Sequence, residues 1–366
     1  MSRNVNDGMQ TAGRRYTRRD LIRRGAIGVG AVGSGIIGLS VLGCGAGNAG
    51  KNAGSSSQAT AAAKAPTKVS VSYDGTPNDM TLFLARDQSI FAKHGIDANL
   101  IQIPGPTSVA AVLSGQVQFG HSGGTEVIGA AAQGGDVKIV AVQSPVFPFL
   151  LMVQPNIKSA ADLKGKKVGI SQPGGAADTA LRIVLPKLGL EPDKDVTFIA
   201  LGSIANQVAG LQNGAVQGTI IVDGPDSQKM QAAGFPSLFD LAKLDVPFVD
   251  AAIECKTSYI QANRQIVQNY VDSMIEATLF MRKNKDLAVQ ELGKIFNGTD
   301  TASYSATYDY YSQPNVTVVP PTPNPDAFTN TLQVLCKKDP KACNFDASKV
   351  IDGSFVQSAI SRGLTK

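Results

Sequence analysis

Polar and acidic residues recur at turns that follow short apolar stretches of this chain. Six such turns span residues 74–79, 104–108, 121–126, 171–179, 202–205 and 223–226. In parallel α/β layers, ligands bind beyond the carboxyl ends of the strands, where the next helix offers unpaired backbone amides. The same turns also occur where nothing binds, so the pattern alone nominates candidates. The candidate ligand-binding residues are Asp74, Gly75, Thr76, Ser108, Ser122, Gly123, Thr125, Ser171, Gln172, Gly174, Asp178, Thr179, Ser203 and Asp223.

The charged residues of these turns are all acidic. They are Asp74, Asp79, Glu126, Asp178, Asp223 and Asp226, and no Lys or Arg joins them. Carboxylates in a closed cleft repel an anion, so the pattern favours a neutral or amine-bearing ligand such as a pyrimidine-like heterocycle. Asp74 and Asp223 are the best candidates to accept from its amino groups. The alternative is that these acids only cap helices.

Residue patterns for catalysis or metal binding are weak. His121 precedes Ser122 as a base precedes a nucleophile, but no Gly-x-Ser-x-Gly surrounds Ser122 or Ser171. Gly165-Lys166 lacks the spacing of a phosphate-binding loop. Neither His94 nor His121 lies near a cysteine. We therefore expect no catalytic residue, no metal and no cofactor.

Strand-like and helix-like stretches alternate twice along the chain. The first pass runs from residue 68 to 142, and the second restarts at residue 168. Residues 110–118 resemble residues 209–217, at an offset of 99. This order predicts an α/β fold with two similar lobes. Longer amphipathic stretches at 260–283 and 286–296 predict helices that pack on them.

The first 43 residues have the features of an export signal. Thr17 to Arg23 resembles a twin-arginine motif, and an apolar, Gly-rich stretch leads to Val41-Leu42-Gly43-Cys44, which resembles a lipobox. We expect cleavage before Cys44, a lipid on Cys44 and a flexible tether over residues 44–67. A transmembrane anchor is the alternative, although seven glycines between residues 25 and 43 disfavour a spanning helix.

The net charge of +5 comes from this signal segment. Residues 1–43 contain seven of the 34 basic residues and two of the 29 acidic ones, so the rest of the chain has 27 of each. A balanced mature chain has no basic field to attract nucleic acid.

The remaining cysteines predict one disulfide. Cys336 and Cys343 bracket a short polar segment, and outside the cytoplasm this spacing favours a local bond worth on the order of 2 kcal/mol. Cys255 is left as a buried thiol.

Residues 104–120, 163–169 and 211–222, in this order and behind a lipoprotein signal, resemble the substrate-binding proteins of nitrate, sulfonate and taurine ABC importers. The resemblance covers residues 68–294. It implies a type II periplasmic-binding-protein fold, with two α/β lobes joined by crossing strands near 144–154 and 246–254. Lobe 1 would comprise residues 68–151 and 247–366, and lobe 2 residues 153–246.

The resemblance also implies the partners. We expect an extracytoplasmic, lipid-anchored monomer that delivers a small molecule to an ABC permease and its ATPase. A receptor module that passes its ligand to a sensor is an alternative. Pyrimidine synthases of thiamine biosynthesis share the fold, but their clustered cysteine motif is missing here.

Overall fold

The computed structural model describes residues 65–103, 105–244 and 246–366. The predicted signal peptide, the lipidation site Cys44 and nearly all of the tether lie outside these residues. Of the tether, residues 65–67 are described, and Thr67 already begins the first strand.

Two separate five-stranded sheets form the framework. The first has the strand order β2-β1-β3-β10-β4. Its strands are β1 (Thr67–Tyr73), β2 (Ile96–Gln102), β3 (Phe119–Ser122), β4 (Val137–Ser144) and β10 (Ala251–Lys256). Strands β2 and β3 run parallel to β1, whereas β10 is antiparallel to both of its neighbours.

The second sheet repeats this plan with the order β7-β6-β8-β5-β9. Its strands are β5 (Phe149–Val153), β6 (Lys166–Ile170), β7 (Val196–Ala200), β8 (Gly218–Val222) and β9 (Ser237–Asp240). Strand β5 is antiparallel to β8 and β9, as β10 is to its own neighbours. Each sheet thus holds one antiparallel strand in fourth place, contributed by the chain as it crosses between the lobes. The predicted periplasmic-binding-protein architecture is confirmed.

The two crossings lie close to the predicted segments. The first falls between the end of β4 at Ser144 and the start of β5 at Phe149. Strand β5 therefore belongs wholly to the second sheet, and the predicted lobe boundary near Leu151 falls inside it. The return crossing runs from Asp240, at the end of β9, to Ala251.

Helices cover the sheets and build the C-terminal part. They are α1 (Met80–Asp87), α2 (Ile90–Lys93), α3 (Gly105–Ser114), α4 (Gly124–Ala132), α5 (Ala176–Val184), α6 (Ile204–Gln212), α7 (Pro225–Ala232), α8 (Thr257–Ala262), α9 (Arg264–Lys283), α10 (Lys285–Ile295), α11 (Thr301–Tyr311), α12 (Thr329–Cys336) and α13 (Ser354–Ser361). Short 3-10 turns lie at Pro77–Asp79, Ala160–Leu163, Leu185–Leu188, Leu241–Lys243, Pro325–Phe328, Pro340–Ala342 and Ala347–Val350.

Two elements differ from what the local sequence pattern predicts. The spacing of apolar residues predicts one helix over residues 80–94, but the helix breaks at Ser89, whose φ of 59° cannot continue a right-handed helix. The turn pattern predicts that His121 and Ser122 open a helix, whereas they complete β3, and Gly123 is the N-cap residue of the helix that follows. Helix α11 was not expected at all.

Helix α9 packs under the first sheet through aromatic rings. The ring of Tyr270 stacks on Phe119 at a centroid distance of 3.9 Å and on Phe91 at 5.4 Å. All three side chains are buried. Burial of rings of this size contributes several kcal/mol and fixes α9 against the strands that carry the cleft residues.

The repeat seen in the sequence occupies equivalent places in the two lobes. Gln118 accepts from the Ser70 amide at 2.8 Å, and Gln217 accepts from the Lys167 amide at 3.2 Å. The amide group of each glutamine also donates to the carbonyl of a preceding glycine, Gly115 or Gly214, at 3.5 and 3.1 Å. Both glycines have φ near +80°, a left-handed conformation that favours glycine at a helix C-terminus.

Cys336 and Cys343 form a disulfide at the end of α12. Cys255, on β10, is a free and buried thiol whose pKa is raised by burial.

Within the described part of the chain, no helix combines the length and apolar character needed to span a membrane.

Candidate functional site: a cleft between the lobes

A cleft of about 660 Å³ lies between the two sheets. The first lobe lines it at Asp74–Thr76, after β1, and at the starts of α3 and α4. The second lobe lines it at Ser171 and Gln172, after β6, and at the start of α6. A volume of this size suits a small organic molecule, and its position at the carboxyl ends of parallel strands is where such folds bind ligands.

Half of the predicted site residues line this cleft. They are Asp74, Gly75, Thr76, Gly123, Ser171, Gln172 and Ser203. Ser122 lines a smaller adjoining cavity of about 30 Å³, which shares Asp74, Thr76 and Asp250 with the cleft.

The other predicted residues lie behind the cleft wall. Gly174 and Asp178 hold the turn before α5, where the Gly174 amide donates to the Asp178 carboxylate at 2.7 Å. Thr125 and Thr179 are buried. Asp223 does not line the cleft; it accepts from the Ser227 hydroxyl at 3.1 Å, and burial raises its pKa.

Asp74 joins the ends of two strands of the first lobe. Its Oδ1 accepts from the backbone amide of Gly105, the first residue of α3, at 2.8 Å. Gly105 has φ of +53°, and a Cβ there would lie 2.4 Å from the Gln172 side chain of the other lobe. Burial raises the pKa of Asp74 to about 7, against the effect of the amide bond. The carboxyl group is thus poised to lose its proton when a positive group approaches.

Two further acids flank Asp74. Asp79 accepts from the amides of Gly75 and Thr76, both at 2.8 Å, and so fixes the turn after β1. Asp250, on the return crossing, accepts from the Asn78 side chain at 2.8 Å. Burial, with a smaller effect from the charge of Asp74, raises the pKa of Asp79 to about 8 and that of Asp250 to about 7.

Glu126, on α4, spans the cleft from the first lobe to the second. Its Oε1 accepts from the amide of Ala176, the first residue of α5, at 3.0 Å. Burial raises its pKa to about 8, with Asp74 as the next contributor.

Glu254 forms a buried polar layer beneath the cleft. It accepts from the Ser122 hydroxyl at 2.8 Å and from the Ser108 hydroxyl at 3.5 Å. Ser108 in turn bonds the Ser72 hydroxyl at 2.8 Å. Burial raises the pKa of Glu254 to about 8. The two serines therefore position a buried acid, and Ser108 itself is fully buried.

The hydrogen bond of the His121 ring goes to Tyr270 and not to Ser122. Its Nε2 bonds the Tyr270 hydroxyl at 2.7 Å, and burial lowers its pKa to about 3. Ser122 donates to Glu254 instead. In this geometry His121 is not positioned to act as a base for Ser122.

Sequence reasoning missed several lining residues. Asp250 lies on the return crossing, directly before β10, and Phe149 is the first residue of β5. Ile295 and Phe296 come from the end of α10, far along the chain. Because the crossing segments were predicted, the acidic residue at position 250 could have been recognised as a candidate for the cleft. Nothing in the sequence indicated that the end of α10 would reach the cleft.

The lining residues of the cleft, as far as the structure describes them, include no Lys or Arg. Nor do the described residues contain a cluster of three or more His, Cys, Asp or Glu arranged to hold a metal ion. The cleft therefore combines carboxyl groups, hydroxyl and amide groups, and the apolar surfaces of Phe149, Ile220 and Phe296.

Comparison with known proteins assigns the family. The model of the family described as "NMT1/THI5 like" matches residues 76–288, more than half of the chain. The chain belongs to the NMT1/THI5-like family. The matched region contains the cleft residues from Thr76 to Asp250 and both crossings.

Individual relatives are more distant. A protein of Brucella abortus (strain 2308) that carries the name of a binding protein is 28% identical over 228 residues, 58% of this chain and 66% of that protein. The match thus spans slightly less than two thirds of this relative. The 4-amino-5-hydroxymethyl-2-methylpyrimidine phosphate synthase of Schizosaccharomyces pombe is 27% identical over 154 residues, 41% of this chain and 43% of the enzyme.

Solved structures share the fold. The alkanesulfonate-binding protein SsuA of Xanthomonas axonopodis pv. citri, bound to MOPS, aligns with a TM-score of 0.67 at 20% identity, covering 79% of this chain and 99% of that protein. The periplasmic aliphatic sulphonate binding protein SsuA of Escherichia coli gives 0.66 at 22% identity, covering 80% and 100%. At these identities the likeness establishes the fold alone.

Proposed function

We propose that this chain is the extracytoplasmic solute-binding lipoprotein of an ABC importer. It captures a small organic molecule between its lobes and delivers it to a permease, and it has no catalytic role. The observation that carries the proposal is the 660 Å³ cleft at the carboxyl ends of the strands of both sheets. Family membership and the relatives' names support it. The bond between His121 and Tyr270 favours binding over catalysis, because it occupies the only histidine beside the cleft.

The ligand we propose is an amine-bearing molecule such as a pyrimidine-like heterocycle. Asp74, Asp250 and Glu126 line the cleft, and no Lys or Arg among the described lining residues balances them. An anion would meet like charge in a medium of low effective dielectric wherever one of these carboxyl groups ionises, and their pKa values of about 7 to 8 place that ionisation near neutral pH. An N–H donor or a cation would find carboxylate acceptors, and the rings of Phe149 and Phe296 would pack against a flat heterocycle. Asp250 replaces Asp223 as the second proposed acceptor, because Asp250 lines the cleft and Asp223 does not.

Calorimetry with the exported chain tests this proposal. The probes are a 4-aminopyrimidine, taurine, an alkanesulfonate and nitrate. We expect the aminopyrimidine to bind most tightly. Asp74→Asn and Asp250→Asn should each weaken that binding at least about tenfold, because a hydrogen bond to a charged group is worth roughly 1.5–3 kcal/mol. Asp97→Asn, an exposed acid away from the cleft, is the matched control. Tight binding of nitrate or a sulfonate that survives both cleft substitutions would contradict the proposed ligand.

The lipid anchor needs its own experiment. Cys44→Ala should release the protein from the membrane fraction, because the predicted lipid is its only attachment in this proposal. Equal membrane retention of the Cys44→Ala variant would contradict anchoring at this residue while leaving the ligand proposal intact.

A further inference from the structure

Glu126 makes a hydrogen bond between the two lobes. It projects from α4 in the first lobe and accepts from the Ala176 amide, at the start of α5 in the second lobe, at 3.0 Å. The N-cap residue of α5 is Gly175, which offers no side-chain cap. Glu126 therefore supplies from the other lobe the acceptor that the first amides of a helix lack. This bond depends on the lobes being closed.

The second oxygen of Glu126 has a different environment. Oε2 is buried and has no hydrogen-bond partner within the described chain. It lies so close to Gly123 that a Cβ there would be 2.3 Å away. Glu126 lines the cleft, but Oε2 itself is shut off from solvent, so a ligand reaches this oxygen only when the carboxyl group turns towards the cleft. A buried acceptor without a partner is costly, and a ligand donor would remove that cost.

The groups that face Glu126 are themselves acidic. Asp74 and Asp250 raise its pKa after the larger effect of burial, and Glu126 in turn raises the pKa of Glu254. The positive end of α5 is a favourable electrostatic partner for Glu126 across the cleft. A positively charged or N–H-bearing ligand would stabilise the ionised carboxylate, and the ionised form is the stronger acceptor for Ala176.

We propose that Glu126 couples occupation of the cleft to closure of the lobes, with one carboxylate oxygen holding α5 and the other contacting the ligand. The coupling rests on the proposed function. It makes Glu126 a specificity-determining residue, because a ligand without a donor at this position closes the lobes less well. A ligand with such a donor gains both its own contact and the bond that spans the cleft.

Two substitutions separate the two contacts. Glu126→Ala removes both. Glu126→Gln keeps an oxygen that can accept from Ala176, but it places an amide donor where the ligand donor would bind. Gln228→Ala serves as the control, since Gln228 on α7 donates to Thr307 on α11 at 3.5 Å without lining the cleft.

The first measurement needs no ligand. Hydrogen exchange at the Ala176 amide should be roughly tenfold faster in Glu126→Ala than in the parent, and near the parent rate in Glu126→Gln. Gln228→Ala should leave it unchanged. Equal exchange in the parent and in Glu126→Ala would overturn the coupling.

The second measurement uses a 4-aminopyrimidine as the probe, with affinity from calorimetry and compaction from small-angle scattering. Glu126→Gln should lose about tenfold in affinity although its Ala176 amide stays protected. A merely structural role predicts parental affinity for Glu126→Gln, and that result would also overturn the proposal. If the parent chain binds none of the probes, the proposed function fails, and the exchange of Ala176 still decides whether Glu126 holds the lobes together.

Discussion

Five carboxyl groups on the first lobe have strongly raised pKa values. The pKa values of Asp74 and Asp250 are about 7, and those of Asp79, Glu126 and Glu254 are about 8. Burial is the main cause for all five, and the charge of Asp74 adds to it for the other four. Each group therefore binds its proton more tightly in the folded protein than in the unfolded chain, and ionisation of this cluster opposes folding.

Glu254 should give the folded state a clear pH dependence. Its contribution to stability is fully present below the unfolded pKa of about 4.3 and is lost as the pH rises through the folded value. The loss at pH 9 is on the order of a few kcal/mol. Glu254→Gln, which cannot ionise, should flatten the fall in free energy of unfolding between pH 6 and pH 9. Denaturant titrations across this range measure the slope.

The exposed acid Asp97 provides the comparison for this slope. Asp97→Asn should leave the pH dependence as it is in the parent. If Glu254→Gln and the parent lose stability in parallel, the ionisation of Glu254 does not oppose folding.

Ligand binding should also be linked to protons. A cation in the cleft favours the ionised forms of Asp74 and Asp250, so its binding releases protons near pH 7. The affinity of a simple diamine, charged throughout this range, should rise about tenfold between pH 6 and pH 8. Calorimetry in two buffers of different ionisation enthalpy detects the release. An enthalpy independent of the buffer would speak against a role for these carboxyl groups.

The sequence could predict part of this site. Asp74 follows an apolar strand directly, so its place at the cleft follows from local pattern and strand direction. Glu126 was recognised as an acid of the right turn, but its bond to Ala176 depends on how two lobes meet. Asp223 follows β8 as Asp74 follows β1, yet only Asp74 reaches the cleft. Local sequence does not specify such differences in side-chain direction.

At the scale of the secondary-structure element, one glutamine in each lobe connects a helix, a turn and a strand. Gln118 accepts from an amide of β1 and Gln217 from an amide of β6, and each donates to the carbonyl of the glycine that follows the preceding helix. The two residues stand 99 positions apart, as the repeat in the sequence does. Their shared geometry gives the repeat a physical role, which is to fix α3 to β1 and α6 to β6.

Substitution of these glutamines should have matched effects. Gln118→Ala and Gln217→Ala should each lower the free energy of unfolding by about 1 kcal/mol, because each removes two hydrogen bonds that are exposed or only partly buried. The double variant should lose about the sum, since the sites lie in different lobes. Chemical denaturation measures the totals, and hydrogen exchange should place each effect in its own lobe. A loss confined to one of the two single variants would show that the equivalence is not energetic.

The strands of the two passes were predictable because apolar stretches alternate with helical ones. The places of β5 and β10 within the sheets were less so. Strand β5 lies between β8 and β9, and β10 lies between β3 and β4, so each pairs with strands from distant parts of the sequence. This pairing is set by tertiary packing rather than by any pattern within Phe149–Val153 or Ala251–Lys256. The crossing positions came from family resemblance, and the structure adds their antiparallel direction.

At the scale of the whole molecule, the second sheet is an insertion within the first lobe. The chain leaves the first sheet after β4, forms all five strands from β5 to β9, and returns as β10. Lys338, beside the disulfide, then donates to Asp178 on α5 at 3.3 Å, so that the C-terminal segment also reaches the second lobe. The two lobes are thus joined by this late contact as well as by the two crossings.

The position of β10 has a consequence for the order in which the chain can fold. Strand β4 has β10 as its only partner strand in the first sheet, and β10 emerges from the ribosome after the whole second sheet. A nascent chain can therefore complete the second lobe while the first still exposes the edges of β3 and β4. Such edges can pair with other chains.

This folding order can be tested by refolding the chain and following it with pulsed hydrogen exchange. We expect amides of β6 and β8 to become protected before those of β4. Simultaneous protection of both sheets would refute this order. A chaperone that binds during synthesis would have its longest opportunity at the first lobe.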